Sequence, residues 1–555
     1  TYIGSRMGRP EKAKQRKMTG GPHGLFPVGD EGGRLRSFQA AMKDGKVTSE
    51  FQIAYCPACN ILGICRRCET CGAETTPHYY CRQCAKVFPT STCHQHGILV
   101  RAKRQSVDIK RIFSSALKQI GMTLYPDLIK GVRGTMNENH FAEHPAKTIL
   151  RAKHDLYVNK DGTIRYDCSE LALTHFKPQE IGTSVEKLIE LGYTQDIHGK
   201  QLQTDDQVLE LKPQDVVLPA CPVAPEEDEG SDAIMFRVAQ YVDDLLTSLY
   251  KLPAFYKLKS TADLVGHCII GLAPHTSAGM LGRIIGFSKT QGFLAHPYYH
   301  SACRRDCDGD ELGYLLLMDG FLNFSKDFLP KSRGSTMDAP LVLTSTLNPS
   351  EVDDMAFDVD IAWKYPRELY EAALTYTPPS QIKIPQIKHV LNTPQQYEGM
   401  GFTHDTEDIN AGVLCSAYKT LPSMEEKLRG QMVLAERIRA VDTADVARLV
   451  IEKHFIRDLK GNLRKFSMQE FRCVACNEKF RRPPLAGKCT ECGGKLLFTI
   501  TEGSVVKYLG PTISLVEKYH LSPYLKQTIE IVQRRIEGVF GRDKEKQTGL
   551  GAWFG

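Results

Sequence analysis

Three aspartates stand at alternate positions near the middle of the chain, where Cys307 and Gly309 separate Asp306, Asp308 and Asp310. If this segment is extended, residues two apart point to one face, so the carboxylates would lie along about 13–14 Å of strand. At neutral pH they would repel one another unless a divalent cation bound between them, and rows of carboxylate oxygens suit Mg²⁺. Gly309 would let the backbone bend and a substrate approach closely. The pattern therefore predicts a magnesium site.

Two other interpretations of the aspartates are a calcium loop and a solvated acidic turn. An EF-hand beginning at Asp306 would need a glycine and a glutamate where the chain has Glu311 and Leu317, which excludes that kind of calcium loop. The apolar run 312–328 is expected to form a core helix, and a core helix directly after the aspartates argues against an idle surface turn.

The wider block around the aspartates carries a family resemblance. The stretch CRRDCDGDELGYLLLMDGFLNFSKDFLPKSRGSTMDAPLVLT resembles the large subunit of archaeal family-D DNA polymerase, and its Asp-x-Asp-Gly-Asp motif resembles the metal-binding loop of multisubunit RNA polymerases. The likeness runs from RMGRPEKAKQRKM to the last five residues. It implies a DNA-directed DNA polymerase for DNA replication, which adds deoxynucleotides to a primer 3′ end. Two Mg²⁺ ions on Asp306, Asp308 and Asp310 would serve the phosphoryl transfer.

The chain departs from the family pattern at two positions. The family usually has Asn where this chain has Asp306, and commonly an acid where it has Leu312. Because Asp306 restores the three-carboxylate pattern of the RNA polymerase loop, we expect metal binding to survive. Two rival functions stay open: an RNA-polymerase-like nucleotidyltransferase would use the same loop, and a non-catalytic zinc scaffold tethered to DNA and a sliding clamp would not need it.

Basic residues crowd the first positions of the chain, which indicates a phosphate-facing surface or a solvated helix end. The candidates for contact with DNA there are Arg6, Arg9 and Lys12. By the resemblance, Lys14 and Lys17 match two lysines at the active site of the family's first core barrel. They would stabilise charge on the phosphates or hold the primer end.

Four further residues are candidates for contact with template, nucleotide or phosphate. They are His275, Arg283, Arg304 and Arg305. The two adjacent arginines stand just before the aspartates, where their guanidinium groups could hold phosphate. For His275 a buried core histidine is an equally good interpretation.

Most of the eighteen cysteines fall in two short stretches with metal-ligand spacing. Each Cys-x2-Cys turn offers two sulfurs to one tetrahedral ion, and two such turns close a site, which predicts structural zinc rather than catalysis. The expected sets, for about three Zn²⁺ ions, are Cys56, Cys59, Cys68 and Cys71; Cys81, Cys84, Cys93 and His96; and Cys473, Cys476, Cys489 and Cys492. Cys65 could pair with Cys68 instead, and His94 could replace His96.

The fold class expected from these patterns is mixed α/β with many short strands. The resemblance implies a double-psi β-barrel catalytic core, inserted zinc modules and a helical C-terminal region. We expect part of the first barrel at 1–50, a double zinc module at 51–100, mixed α/β and linker at 101–260, the second barrel at 261–422, helices at 423–470, a zinc ribbon at 471–502, helices that dock the small subunit at 503–540, and a clamp-binding tail at 541–555.

Capping signals place several helices within this plan. We expect a helix from Ser37 to Lys43 that Gly45 stops, and a capping box at 183–186 that opens a short helix ended by Gly192. A helix is expected at about 232–250, buried strands at 264–288, and helices at 423–440 and 443–454.

The last residues resemble a binding box for the PCNA sliding clamp, in which Gln anchors a turn that presents an apolar plug. The box residues are Gln547, Leu550, Trp553 and Phe554. Packing of this tail on its own domain is the alternative. The resemblance implies further partners: primer–template DNA, a small subunit with exonuclease activity that forms a heterodimer, and the N-terminal portion of the large subunit.

Length and composition limit the class of protein. With 555 residues, 42% hydrophobic and 25% charged, the chain is expected to form about three or four globular domains. A net charge of +6 permits a polyanionic partner without requiring one. No apolar run approaches the ~20 residues of a membrane span, so we expect a cytoplasmic protein. Because the chain starts at Thr1 inside a motif, we expect a fragment, a split-gene product or a spliced product.

Overall fold

The computed structural model divides into two compact units, which are described separately. It describes residues 19–135, 140–221, 229–273, 278–307, 309–329, 341–403, 407–411, 414–415, 421, 423–439, 441–474, 476, 478–497 and 500–541. The larger unit comprises the described residues of Gln15–Leu369 and Pro378–Ser416, and the smaller unit those of Tyr370–Thr377 and Ala417–Gly555. Within these ranges, no helix combines the length and the apolar character that crossing a membrane requires.

The first part of the larger unit joins three helices to a sheet built around one long strand. Its elements are α1 (Phe38–Asp44), β1 (Lys46–Cys56), β2 (Ile61–Gly63), β3 (Thr76–Tyr80), β4 (Val87–Phe88), β5 (Thr92–Cys93), β6 (Gly97–Ile98), β7 (Ala102–Asp108), α2 (Ile109–Ile120) and α3 (Pro145–Lys153). Strand β1 pairs with β2, β3 and β7. Helix α1 is capped by Ser37 and stopped by Gly45 at φ 80°, as the sequence predicts.

The second part of the larger unit contains a ring of strands. Its elements are β8 (Tyr166–Ala172), β9 (His175–Phe176), α4 (Pro178–Ile181), α5 (Val185–Glu190), β10 (Leu209–Glu210), β11 (Asp215–Pro219), α6 (Ser231–Asp244), β12 (Cys268–Leu272), β13 (Ala278–Ser288), β14 (Gly292–Ala295), α7 (Pro297–Ala302), β15 (Glu311–Leu316), α8 (Leu317–Asn323) and β16 (Val342–Thr344). Helix α9 (Arg367–Leu374) begins in the larger unit, and its residues from Tyr370 onward belong to the smaller unit. A π-helical turn, Leu245–Tyr250, continues α6.

Six of these strands close on themselves. The sheet runs in the order β11-β14-β8-β15-β12-β13-β16, and β11 pairs with β13 as well. That additional pairing joins the two ends of the six-strand path and makes a barrel. Around it two pairs are parallel (β11–β13 and β14–β8) and four are antiparallel (β11–β14, β8–β15, β12–β15 and β12–β13). The barrel draws β8 and β11 from a segment for which only mixed α and β was expected.

The barrel interior is apolar, and one core extends from it to the first part of the unit. Phe293, Tyr299 and Tyr314 are fully buried and belong to the same cluster as Phe38 and Phe51. Strands that are buried on both faces read as continuous apolar runs, which is the pattern of β12 and β15.

The smaller unit is a helical cluster with a three-stranded ribbon. Its elements are α10 (Met424–Arg437), α11 (Thr443–Val450), α12 (Ile456–Met468), β17 (Phe471–Cys473), β18 (Lys479–Phe480), β19 (Leu496–Leu497), α13 (Glu502–Val506), α14 (Leu509–Lys518) and α15 (Pro523–Phe540). The side chain of Ser423 accepts from Glu426 N and starts α10 where the sequence predicts it. The helix expected at 443–454 continues through a π-helical turn, Ile451–Phe455, as far as Met468. A separate apolar core holds these helices together.

Two expected elements differ in the structure. The run 312–328 is not one helix, because Glu311–Leu316 forms β15, which lies between β8 and β12, and only Leu317–Asn323 is α-helical. The apolar run reflects burial in the barrel rather than helical periodicity. The short helix α5 is capped by Ser184 rather than Thr183, since the Thr183 hydroxyl donates instead to Ile285 O at 2.6 Å.

Candidate functional site

The aspartate segment is the connection between helix α7 and strand β15. Helix α7 begins at Pro297, and His296 caps it by accepting a hydrogen bond from Tyr298 N at 3.1 Å. Asp310 directly precedes β15, whose neighbours are the barrel strands β8 and β12. The sequence thus folds into a helix–loop–strand unit that places Asp306 and Asp310 at one end of the barrel.

The aspartate segment is a loop and not the extended stretch that alternation predicts. Arg304, Cys307 and Gly309 have φ values of 59°, 60° and 94°, so the chain turns repeatedly instead of alternating between two faces. A Cβ built on Gly309 would meet no atom within 4 Å, so space is open in front of it. Glycine is needed there for its backbone conformation, and the described residues of the segment do not form the extended strand that was expected.

Backbone hydrogen bonds hold both ends of the loop. Arg304 N donates to Ser301 O and Arg305 N to His300 O, each at 2.9 Å, which ties the start of the loop to α7. At the other end Glu170 N donates to Asp310 O at 2.9 Å, which ties it to β8. The loop is therefore fixed to two barrel elements.

A buried pair lies directly beneath these anchors. His300 Nδ1 is 3.1 Å from Glu170 Oε2, and both side chains are fully buried. His300 Nε2 lies 3.0 Å from Leu171 O, and because a carbonyl only accepts, Nε2 carries a hydrogen. The His300 ring thus links α7 to β8, with Nδ1 facing the Glu170 carboxylate and Nε2 facing Leu171 O. Sequence reasoning missed both residues, since nothing local marks them as partners.

The electrostatics of the loop combine exposed acid with one arginine. Asp306 is exposed. The Asp310 carboxylate is 42% exposed and accepts a hydrogen bond from Arg305 Nη1 at 2.9 Å. Arg305 thus compensates a carboxylate that could otherwise face a cation. The open oxygens of Asp306 and the solvent side of Asp310 are hard ligands of the kind that Mg²⁺ prefers.

The other predicted contact residues have different surroundings. Arg304 is exposed at the turn. Arg283 binds Asp215 through Nε and Nη2, both at 2.8 Å, and lies on β13 away from the loop. Several predicted residues lie outside the described part of the chain: Arg6, Arg9, Lys12, Lys14, Lys17, His275, Asp308, Gln547, Leu550, Trp553 and Phe554.

A buried charge network follows the loop strand into helix α8. Arg151 is fully buried and makes two 2.8 Å hydrogen bonds to Glu143, whose Oε2 also accepts from Leu25 N at 2.8 Å. Arg151 Nη2 donates to Gly162 O, and Asp319 of α8 accepts from Ile164 N at 2.7 Å. The network joins the segment that follows the basic N-terminal stretch to the helix that follows the aspartate strand. The residues of this network are far apart in the sequence, so their spacing does not predict that they meet.

Three sets of side chains have the geometry of tetrahedral metal sites. In each, the ligand atoms lie within 4.8 Å of one another, and the sets are Cys56, Cys59, Cys68 and Cys71; Cys81, Cys84, Cys93 and His96; and Cys473, Cys476, Cys489 and Cys492. Sulfurs bound to zinc at about 2.3 Å in a tetrahedron stand roughly 3.7–3.8 Å apart. Pairs here are 3.6 Å apart for Cys56–Cys71 and 3.5 Å apart for Cys476–Cys489.

Each of these sets could hold one zinc ion. Among the described residues neither Cys65 nor His94 joins a set. Cys65 is instead a fully buried thiol, and burial raises its pKa well above the usual range. A thiol that stays protonated in an apolar site is a poor metal ligand.

Comparison with known proteins places this geometry in a family. Residues 122–427, which contain the barrel and the aspartate loop, match the family described as DNA polymerase II large subunit DP2, catalytic domain. Residues 1–89 match the central domain of the same subunit.

Curated relatives extend the match over nearly the whole chain. The DNA polymerase II large subunit of Archaeoglobus fulgidus is 46% identical over 559 residues, which cover 99% of this chain and 48% of that protein. For Methanococcoides burtonii the identity is 47%, with the same coverage, and for Pyrococcus furiosus it is 45%, with 97% and 43% covered. The chain spans about half the length of the curated relatives it matches. Since the catalytic-domain match alone covers more than half of its residues, the chain belongs to the family of the DNA polymerase II large subunit.

Proposed function

We propose that this chain carries the catalytic centre of a DNA-directed DNA polymerase. The observation that supports this most directly is the loop at the end of the barrel, which presents Asp306 and Asp310 from within the stretch that matches the catalytic domain. The reaction would be template-directed addition of a deoxynucleotide to a primer 3′ end. The names of the relatives and the chemistry of the loop point to the same activity.

The acidic side chains of the site would bind metal ions, and the basic side chains would bind phosphates. Asp306, Asp308 and Asp310 would hold two Mg²⁺ ions, whose positive charge lowers the barrier to attack by the 3′ hydroxyl and stabilises the departing pyrophosphate. Arg305 would release Asp310 to a cation and turn its guanidinium to a phosphate oxygen, which is the geometry that arginine suits. Lys14 and Lys17 would bind the triphosphate or the primer end, with Arg6, Arg9, Lys12, His275 and Arg304 as further contacts to DNA or nucleotide.

The barrel and the cysteine sets would have structural roles in this function. A closed barrel of six strands with two parallel and four antiparallel pairs is consistent with the double-psi type, which we propose for the barrel. Each four-ligand set leaves no open coordination position, so three Zn²⁺ ions would hold their modules together rather than react.

Partners follow from the proposed role. We propose that the helices at 503–540 and the zinc ribbon dock a small exonuclease subunit, that the tail at 541–555 binds PCNA, and that a further N-terminal portion of the large subunit completes the enzyme. The division into barrel, zinc modules and helical docking region, with the boundaries expected from the sequence, belongs to the same proposal.

Primer extension tests the activity. The chain is co-expressed with the N-terminal portion and the small subunit, and extension with Mg²⁺ and dNTPs is compared between wild type and Asp308→Ala plus Asp310→Ala. Extension should vanish in the double variant, because no carboxylate pair would remain to hold the ions. Extension that persists would put the chemistry elsewhere. Incorporation of NTPs in place of dNTPs would favour an RNA-synthesising relative. No extension in either protein, with binding of DNA and of the clamp intact, would favour a scaffold or a missing partner.

A further inference from the structure

A cavity of about 440 Å³ lies in the larger unit, where the starts of β11 and β12 meet the middle of β13. Strand register shows that it is not part of the aspartate site. Cys268, at the cavity, begins β12, and Leu272, at its other end, pairs with Gly313, three residues after Asp310. Four residues of strand separate the two by roughly 13 Å. The cavity is therefore at the opposite end of the barrel from the aspartate loop.

Hydrogen bonds hold the walls of the cavity in place. The Gln214 amide donates to Leu281 O and to Ser345 O, both at 3.0 Å, and accepts from Leu347 N at 3.1 Å. One side chain thus links the start of β11 to β13 and to the segment after β16. A wall fixed in this way does not need to be ordered by a ligand, which lowers the cost of binding.

Two cations face the cavity, and only one carboxylate accompanies them. Asp215 is almost fully buried, and its oxygens are taken by Arg283 Nε and Nη2 and by the Tyr193 hydroxyl, which donates at 2.6 Å. Lys212 Nζ donates to the carbonyl of Gly192 at 2.9 Å and lies 4.7 Å from the centre of the Tyr193 ring. The carbonyl and the ring that Lys212 Nζ contacts are both neutral. Asp215 accepts from Nε and Nη2 of Arg283 and does not use the Nη1 hydrogens.

This arrangement leaves unbalanced positive charge. Burial lowers the pKa of Lys212, and the charge on Arg283 lowers it too, while Asp215 acts in the opposite direction. An anion placed between the two cations would relieve their repulsion and would accept from donors that are already oriented.

The remaining wall of the cavity is apolar and includes one aromatic ring. Leu281 and Leu347 line it together with Tyr397, whose side chain is 46% exposed. A cavity of this size fits a ligand of a few hundred Å³, and a flat heterocycle stacks well on a tyrosine ring.

We propose that this cavity binds a nucleotide, with its phosphate on Lys212 and Arg283 and its base against Leu347 and Tyr397. The phosphate could belong to a free mononucleotide or to one unit of a nucleic acid strand, since both offer the same chemistry. The site goes beyond the proposed polymerase function and does not depend on it, because binding can be measured without catalysis.

Fluorescence anisotropy tests the site with the zinc-loaded chain and no added Mg²⁺. The probes are a fluorescent derivative of dAMP and a fluorescein-labelled (dT)10 strand, and inorganic phosphate serves as competitor. Lys212→Met should weaken binding at least tenfold, whereas Lys200→Met, a change at an exposed lysine outside the cavity, should leave the affinity unchanged. Unchanged thermal unfolding midpoints check that the variants fold.

The outcomes separate the sources of the phosphate. Lys212-dependent binding of the dAMP probe supports a free nucleotide, and Lys212-dependent binding of (dT)10 alone supports a unit of a strand. Tyr397→Ala should lower the affinity for the dAMP probe without changing the affinity for inorganic phosphate that the competition measures. If Tyr397→Ala has no effect, the base subsite is wrong. If neither probe responds to Lys212→Met, the proposal as a whole is overturned, whatever the result of primer extension.

Discussion

Asp319 is a fully buried carboxyl group whose protonation should change stability with pH. Burial raises its pKa to about 6, although Ile164 N and the Asn323 amide donate to it and favour the charged form. An aspartate in the unfolded chain has a pKa of about 3.9. The folded protein therefore binds this proton more tightly, so this contribution to stability is present at low pH and is lost as pH rises from about 4 through about 6.

Replacing Asp319 with Asn removes that pH dependence. Between about pH 4 and pH 7 the free energy of unfolding of Asp319→Asn should fall by roughly 2–3 kcal/mol less than that of the wild type. Urea denaturation at pH 4, 5, 6 and 7 measures the difference. The matched control is Asp205→Asn, which replaces an exposed carboxylate and should give the same dependence of unfolding free energy on pH as the wild type. Parallel curves for Asp319→Asn and wild type would show that Asp319 is ionised throughout.

At the scale of residues, sequence spacing predicts those contacts that are formed between residues close together in the chain. The zinc-type sets were predicted because each Cys-x2-Cys turn fixes its own two sulfurs. The partners of Glu170 and Arg283 were not predictable, because His300 and Asp215 are distant in the sequence and only the strand order brings them close. The contact between Glu170 and His300 beneath the aspartate loop is thus a property of the fold.

At the scale of elements, Tyr299 holds helix α7 against the barrel by packing on Gly271 of β12. Tyr299 Oη accepts from Gly271 N at 3.2 Å and donates to Met280 O at 2.9 Å. A Cβ on Gly271 would lie 2.6 Å from that oxygen. Because Tyr299 is fully buried, it cannot swing away into solvent, and α7 would have to move together with the start of the aspartate loop.

Gly271→Ala should therefore destabilise the larger unit by about 1–3 kcal/mol, the usual cost of overpacking. Chemical denaturation measures the change. Gly430→Ala is the control, because a Cβ there meets nothing within 4 Å and α10 should gain about 0.5–1 kcal/mol from the better helix former. An unchanged stability in Gly271→Ala would mean that Tyr299 can shift without cost.

The sequence predicts the ends of elements better than their pairing. Ser37, Gly45 and Ser423 stand at helix ends where their side chains or backbone conformation are needed, and each was predicted from its neighbours alone. The apolar run after Asp310 was misread because a strand buried on both faces and a core helix have the same composition. Closure of the barrel by β11 and β13 joins residues that no local pattern connects.

At the scale of the whole molecule, the chain combines two units that each have their own apolar core. Two of the zinc-type sets belong to the larger unit and the third to the smaller one. The family match on 122–427 lies mainly on the larger unit, where the aspartate loop and the cavity lined by Lys212 and Arg283 occupy opposite ends of one barrel. Each candidate site therefore lies within one of the two units.

Metal content tests the role of the three sets across the molecule. Purified chain should contain three Zn²⁺ ions by inductively coupled plasma mass spectrometry, one for each set of four ligands. Cys473→Ser plus Cys489→Ser should lower the content by one ion, because two ligands cannot complete a tetrahedral site. Without its metal the ribbon has only short strands, so it should become sensitive to protease between β17 and β19.

The control for this experiment is a cysteine outside the sets. Cys65→Ser alters a buried thiol in the first cysteine-rich stretch and should leave three ions bound, although burying a hydroxyl there lowers stability. Loss of an ion in Cys65→Ser, or retention of all three in the ribbon variant, would contradict the grouping. Because zinc binding is folding free energy for small modules, chelation should unfold the ribbon strands β17–β19 while the helices α14 and α15, which are held by their own apolar core, keep their circular dichroism signal.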